Sequence, residues 1–218
     1  MAGPNLTTHI PIGVVETTTG LTPFTNSQPE QSGQTYKIGT PLQLNAGFIR
    51  AWDGTTLTNS IAGFALNYSQ NLGTSGAGAP GAFSQIGPPG AIQTYGSVVF
   101  QPAAVNIAVG APIADGRALF ESSVDNNIFE ATYDNSTGTV AANWTPTQAQ
   151  IGTQFGLTID ANGQWYVDGG KATAGTNTVV VMVGINPIDQ VPGAAGTYII
   201  NARVRFQVLQ AARQIFTA

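Results

Sequence analysis

The chain has no cysteine among its 218 residues. That excludes disulfide stapling and thiolate metal sites, so the fold must be held by packing and hydrogen bonds alone. Charge is nearly as scarce. Asp, Glu, Lys and Arg make up 8% of the residues, against about 25% in an ordinary globular domain. A soluble monomer keeps clear of its neighbours with surface charge, so a chain this poor in it suits a subunit packed against other protein. The seven cations are scattered apart from Arg203, Arg205 and Arg213, and the net charge is −4. Nucleic acid is therefore not expected as a direct partner, because phosphate binding needs clustered Lys and Arg. No apolar run reaches the roughly 18 residues of a membrane-spanning helix, and no membrane partner is expected. The opening MAGPNLTTHIP has neither the basic stretch nor the apolar core of a signal peptide. No amphipathic helix of any length and no repeat of fixed period is present.

What the chain does have is 27 glycines, 13 prolines and abundant Thr and Asn, with apolar residues alternating between turn signals. Tyr36, Ile38, Leu42 and Leu44 fall on one parity. Phe48, Arg50 and Trp52 continue the alternation up to the turn at Asp53-Gly54, and Phe64, Leu66 and Tyr68 resume it. Val105 to Val109, a restart at Leu119-Phe120 after an Asp115-Gly116 turn, and Ile128–Tyr133 read as further strands. Phe155–Ile159 and Trp165–Val167 read as a hairpin with a type I′ turn at Asn162-Gly163, and Thr178–Ile185 and Tyr198–Leu209 complete the set. Thr145-Pro146 followed by Gln148 reads as one capped helical turn. Short strands spaced about ten residues apart predict an all-β fold, an antiparallel β-sandwich or jelly-roll-like barrel.

Around that core, residues 1–35 carry Pro4, Pro11, Pro23 and Pro29 and read as an extended N-terminal arm. Residues 36–209 are the β-rich core, with a long Gly/Pro-rich loop at 71–96, and residues 210–218 are a C-terminal tail. The apolar points of the arm, Ile10, Ile12, Val14 and Phe24, and those of the loop, Phe83 and Ile86, are the expected contacts with a partner. On that reading, deleting residues 1–35 leaves a folded protein that no longer binds.

Chemistry is thin. The only histidine, His9, lies in the arm, so a catalytic triad or multi-histidine metal centre would have to be assembled around it. It reads as incidental. Asp115, Glu121, Asp125, Glu130 and Asp134 read as turn and strand-edge residues. The alternative is that two of them face each other at glycosidase spacing, and Glu121 and Glu130 would also suit a cation if they lay on adjacent strands. Trp52, Trp144 and Trp165 with Tyr68, Tyr95 and Tyr166 read as core or interface anchors, the alternative being a sugar-binding platform. No catalytic residue, cofactor or metal is expected.

The run Tyr36-Lys37-Ile38-Gly39-Thr40-Pro41-Leu42-Gln43-Leu44, followed by Gly47–Gly54 (GFIRAWDG) and Ile61-Ala62-Gly63, resembles the K-x-G-T-P-V-x-L…G…W-D-G…I-A-G pattern of tailed-bacteriophage head decoration (cement) proteins and related virion structural proteins. Asp115–Glu121, Tyr133–Ser136, Thr145–Gly152 and Asp160–Asp168 are similar to segments of the same group. The resemblance implies a non-enzymatic virion protein, made in the host cytoplasm and placed on the outer surface of the capsid. There it would bridge neighbouring copies of the major capsid protein and stabilise the shell. A homo-oligomer, dimer or trimer, is expected. The alternative is a tail-fibre or carbohydrate-binding β-module for attachment to a host surface.

Overall fold

The computed structural model describes residues 9–31, 34–58, 60–69, 93–95, 98–100, 112–124, 127–138, 141–172 and 178–214. Among these the only helices are short 3-10 turns, and thirteen strands carry the fold: β1 (Gly13–Thr17), β2 (Thr25–Gln31), β3 (Pro41–Asn45), β4 (Phe48–Ala51), β5 (Gly63–Ala65), β6 (Gln93–Tyr95), β7 (Val98–Phe100), β8 (Pro112–Ser122), β9 (Asn127–Asp134), β10 (Gln154–Ile159), β11 (Trp165–Asp168), β12 (Val180–Ile185) and β13 (Arg203–Val208). The alternation in β13 does what period two requires. Val204, Phe206 and Val208 are buried, while Arg203, Arg205 and Gln207 face outward.

Ten of the strands close into two barrels, β1 adds to the second at β9, and β6 and β7 pair only with each other. The first runs β2-β4-β3-β5-β8. The second sheet is ordered β9-β11-β10-β12-β13, and β13 pairs back onto β9, so it too returns on itself. Both have the same connectivity. The third strand in sequence lies between the first and second, the first and third are parallel, and every other neighbour is antiparallel. Sequence echoes accompany this: Leu42-Gln43-Leu44-Asn45-Ala46-Gly47 against Leu157-Thr158-Ile159-Asp160-Ala161-Asn162-Gly163, and Arg117-Ala118-Leu119-Phe120-Glu121 against Arg203-Val204-Arg205-Phe206-Gln207. Phe120 and Phe206, matched in the second pair, are both fully buried. One unit is used twice.

The barrels share an apolar seam. Phe64 of the first packs against Phe129 and Phe206 of the second, ring centroids 4.5 and 5.8 Å apart. Such pairs contribute about 0.5–1.5 kcal/mol each beyond the area they bury. The C-terminal residues reinforce the seam. Gln214 exchanges hydrogen bonds with the backbone of Leu44, and Arg213 bridges Ile61. Residues 210–214 are therefore part of the fold rather than a tail.

The N-terminal segment is the largest correction. Residues 13–17 and 25–31 are strands, not a free arm. β1 runs antiparallel to β9 of the second barrel, and β2 closes the first barrel between β8 and β4. Ile12 is 2% exposed and belongs to the core cluster, against which Val14 packs. The backbone N–H of Val14 donates to Glu121 on β8 at 2.6 Å. One strand thus joins both barrels, and two of the expected partner contacts are used internally. Gly39 shows how tightly this segment sits: a Cβ there would stand 2.4 Å from the Ile12 nitrogen.

Local expectations shift as well. β8 runs without interruption through Asp115-Gly116. The type I′ turn is at Ala46-Gly47, where both residues have positive φ (49° and 84°). At Asp160–Gln164 a three-residue loop forms instead, with only Gly163 left-handed, the pattern of a type I turn closed by a bulge. The helical turn is Gln148–Gln150, with Thr147 rather than Thr145 at its cap. β13 starts at Arg203, because Asn201 at φ 57° breaks the strand expected from Tyr198 onward. Apart from 93–95, the loop 71–96 lies outside the described residues, as do Phe83, Ile86 and the expected strand at Val105–Val109.

Candidate functional site

His9 is not incidental to the structure. Its Nδ1 lies 2.7 Å from an Asp160 carboxylate oxygen and its Nε2 3.0 Å from one of Asp134. Its ring stacks on Tyr166 at 4.4 Å. Asp134 ends β9, and Asp160 opens the β10–β11 loop, where it also accepts from the N–H groups of Asn162 and Gln164. Burial acts to raise the Asp160 pKa. The Gln164 N–H, the His9 ring and the Asn162 N–H outweigh it and hold the pKa below the ordinary carboxylate value. Burial, then Asp168, Asp134 and Asp160, push the Tyr166 hydroxyl upward. A general base needs one ring nitrogen facing its substrate, and here both face carboxylates. The arrangement is a latch that holds the chain before β1 against the second barrel. His9→Ala is expected to lower stability by about 1–2 kcal/mol in urea unfolding. A change below about 0.5 kcal/mol, the scale of an exposed pair, would contradict the latch.

Among the other carboxylates, Glu121 and Glu130 do not share a strand pair. β1 runs between them, Gly13 opposite Glu130 and Val14 bonded to Glu121. Burial raises the pKa of Glu121 against the opposing pull of the Val14 N–H. Glu130 accepts from Asn186 at 2.8 Å and lies near Arg203 and Arg205, at 3.7 and 3.8 Å. Arg203 is also held by both oxygens of Asp189 at 2.8 Å. These are structural contacts. Among the described residues no group of three His, Cys, Asp or Glu is placed to hold a metal ion. The side chain of Asp115 and all of Asp125 lie outside the described residues.

The aromatic residues divide. Trp52, just past β4, meets Trp165 of β11 with ring centroids 5.4 Å apart. They come from the third strand of each barrel and line a cleft of about 400 Å³ between them, together with Gln34, Tyr36, Lys37 and Thr40. Lys37 Nζ reaches across to the carbonyl of Asn162 at 2.6 Å. The Trp52 indole donates to the Thr56 carbonyl at 2.8 Å, whereas the Trp165 indole N–H is buried without a partner. Tyr166 is occupied by His9, and the carbonyl of Trp144 accepts from Asn201 N–H. Trp52 and Trp165 meet and Tyr166 is taken by His9, while the side chain of Tyr95 lies outside the described residues.

A third feature is apolar and exposed. Leu21 and Phe24, in the connection between β1 and β2, are 68% and 58% exposed, and Val124, just past β8, is 39% exposed. Hydrogen bonds gather them at one end of β9. Asn127 donates its N–H to the Val124 carbonyl and its side-chain oxygen accepts from Phe24 N–H, while Thr17, opposite Asn127 in the β1–β9 pairing, donates to the Leu21 carbonyl. Of the expected contact residues, Phe24 is exposed, Ile10 and Val14 are half-buried, and Ile12 is internal. Leu21 and Val124 carried no sequence signal of their own. They belong with Phe24 only through the β1–β9 and β2–β8 pairings. Comparison of the chain with family models, with curated proteins and with solved structures finds no match in any of the three.

Proposed function

We propose that the protein is a non-enzymatic structural subunit of a virion that binds the outer face of the capsid and bridges neighbouring copies of the major capsid protein, itself assembled as a small homo-oligomer. The observation that carries this reading is the patch of Leu21, Phe24 and Val124 on a chain in which 8% of residues are charged. Large apolar side chains gathered on a surface are characteristic of contact sites, and aromatic anchors dominate the energetics of such contacts. The resemblance in residues 36–63 supplies the kind of partner. Phe83 and Ile86 remain further contacts on this proposal, and residues 9–31 act as part of the folded body.

The test is co-sedimentation of purified protein with capsids lacking it, in expanded and in immature form. Wild type is expected to pellet with expanded shells. Leu21→Ser combined with Phe24→Ser is expected to weaken binding about a hundredfold, as two lost anchors would, with an unchanged melting temperature because neither side chain is internal. Wild-type protein that stays in the supernatant with both shells would end this reading.

A further inference from the structure

The loop between β10 and β11 carries covalent chemistry that does not depend on capsid binding and shares no residue with the Leu21–Phe24–Val124 patch. We propose that Asn162 is a site of spontaneous modification, where the Asn162-Gly163 step closes to a succinimide and reopens as isoaspartate or aspartate. It is the single Asn-Gly step in the chain. Glycine has no Cβ to obstruct attack on the preceding side chain. The nearest atoms that a Cβ on Gly163 would meet are those of Lys37, at 3.6 Å and beyond, so the space beside it is open. Asn162 is exposed, and its hydrogen bonds are made by its backbone. Its side-chain amide is bonded to no described residue and is free to swing onto the Gly163 nitrogen.

The step needs water alone. The Gly163 nitrogen gives up its proton and attacks Cγ of Asn162. A Cγ–N bond forms, the Cγ–Nδ2 bond breaks, and the amide leaves as ammonia, taking up the proton. Water then opens the ring at either carbonyl. Attack at Cγ gives aspartate. Attack at the backbone carbonyl carbon gives isoaspartate, whose chain runs through Cγ and whose free carboxylate is the former Asn162 carbonyl. That carbonyl now accepts from Lys37 Nζ at 2.6 Å, so the new carboxylate forms where a cation already stands. A contact with a neutral acceptor across the cleft becomes an ion pair. The loop sets the rate. The Gly163 N–H donates to the Asp160 carbonyl at 3.0 Å, and the Asp160 carboxylate holds the N–H groups of Asn162 and Gln164, both at 2.8 Å. The nucleophile is released only when these bonds open, so ring closure follows local opening of the loop.

The experiment incubates the full-length protein at mildly alkaline pH, folded and in urea, and follows residue 162 by peptide mass and by an isoaspartate assay. Conversion is expected in both, slower by about ten- to a hundredfold in the folded protein. Hydrogen exchange at Gly163 begins with the same release and deprotonation of its N–H, so its protection is expected to match that slowing within about threefold. Asp160→Ala removes two of the holding bonds and is expected to speed conversion in the folded protein about tenfold or more. Should that variant misfold, the exchange comparison on the wild type decides. The inference fails if residue 162 is unconverted in the folded chain when the unfolded chain is fully converted. It fails equally if conversion tracks neither the protection of Gly163 nor the loss of Asp160, because the loop then does not set the rate.

Discussion

A chain that begins at residue 36 is expected not to fold. It should show no cooperative urea transition, bind hydrophobic dye and aggregate at micromolar concentration. The truncation removes three things at once. β2 leaves the first barrel, exposing the edges of β8 and β4 that it pairs. β1 leaves β9. Ile12 leaves the core cluster, and a buried isoleucine alone is worth about 2–5 kcal/mol on truncation to alanine. Total stabilities of domains run about 5–15 kcal/mol, so the combined loss exceeds what the remainder can supply. Ile12→Ala separates the contributions. It should still fold, with its midpoint lowered by the equivalent of about 2–4 kcal/mol. A cooperative transition near the wild-type midpoint in the truncated chain would show the segment to be dispensable and restore the reading of residues 1–35 as an arm.

That segment also shows where sequence reading succeeds and fails. Strands whose own side chains alternate are legible, as β13 is through Val204, Phe206 and Val208. β2 reads Thr-Asn-Ser-Gln-Pro-Glu-Gln and has no apolar alternation. It is a strand because β8 offers it a ladder of backbone partners from Thr25↔Glu121 to Gln31↔Pro112, and no local pattern encodes a partner so far along the chain. The doubled barrel is hidden for a related reason. The extra residue in Asp160-Ala161-Asn162-Gly163 and the unequal connections between the fourth and fifth strands of the two barrels destroy any fixed period, although the order of pairing is kept. The Trp52–Trp165 contact was half legible. The residue types suggested an aromatic surface, but only the parallel use of the third strand in each barrel brings these two together. The His9 latch had no signal at all, since its partners lie 125 and 151 residues away.

The same limit applies to Asp168, whose Asp-Gly-Gly context reads as an ordinary turn, and whose replacement is the second large effect expected. Asp168 is 0% exposed. One oxygen accepts from the N–H groups of Ser136 and Gly170 at 3.0 and 2.9 Å, and the other from the hydroxyls of Ser136 and Thr158, both at 2.6 Å. A single carboxylate therefore ties together the turn after β9, the end of β10 and the end of β11. No room is left for a different arrangement, because a Cβ on Gly169 would stand 2.1 Å from the Tyr133 hydroxyl. Asp168→Ala strips four donors of their acceptor, two on the exposed Ser136 and one each on the half-buried Thr158 and Gly170. Water can reach these donors, so at about 0.5–1.5 kcal/mol for each lost bond a loss of about 2–4 kcal/mol is expected. Asp168→Asn keeps one carbonyl oxygen for the two backbone N–H groups, while Ser136 and Thr158 can turn their hydroxyls to accept from its amide. Its loss is expected to be about 1–2 kcal/mol. Urea midpoints ordered wild type, then Asn, then Ala would support hydrogen bonding as the role of this side chain. Equal losses for the two variants would mean that the negative charge itself, rather than the set of donors, holds the three segments together.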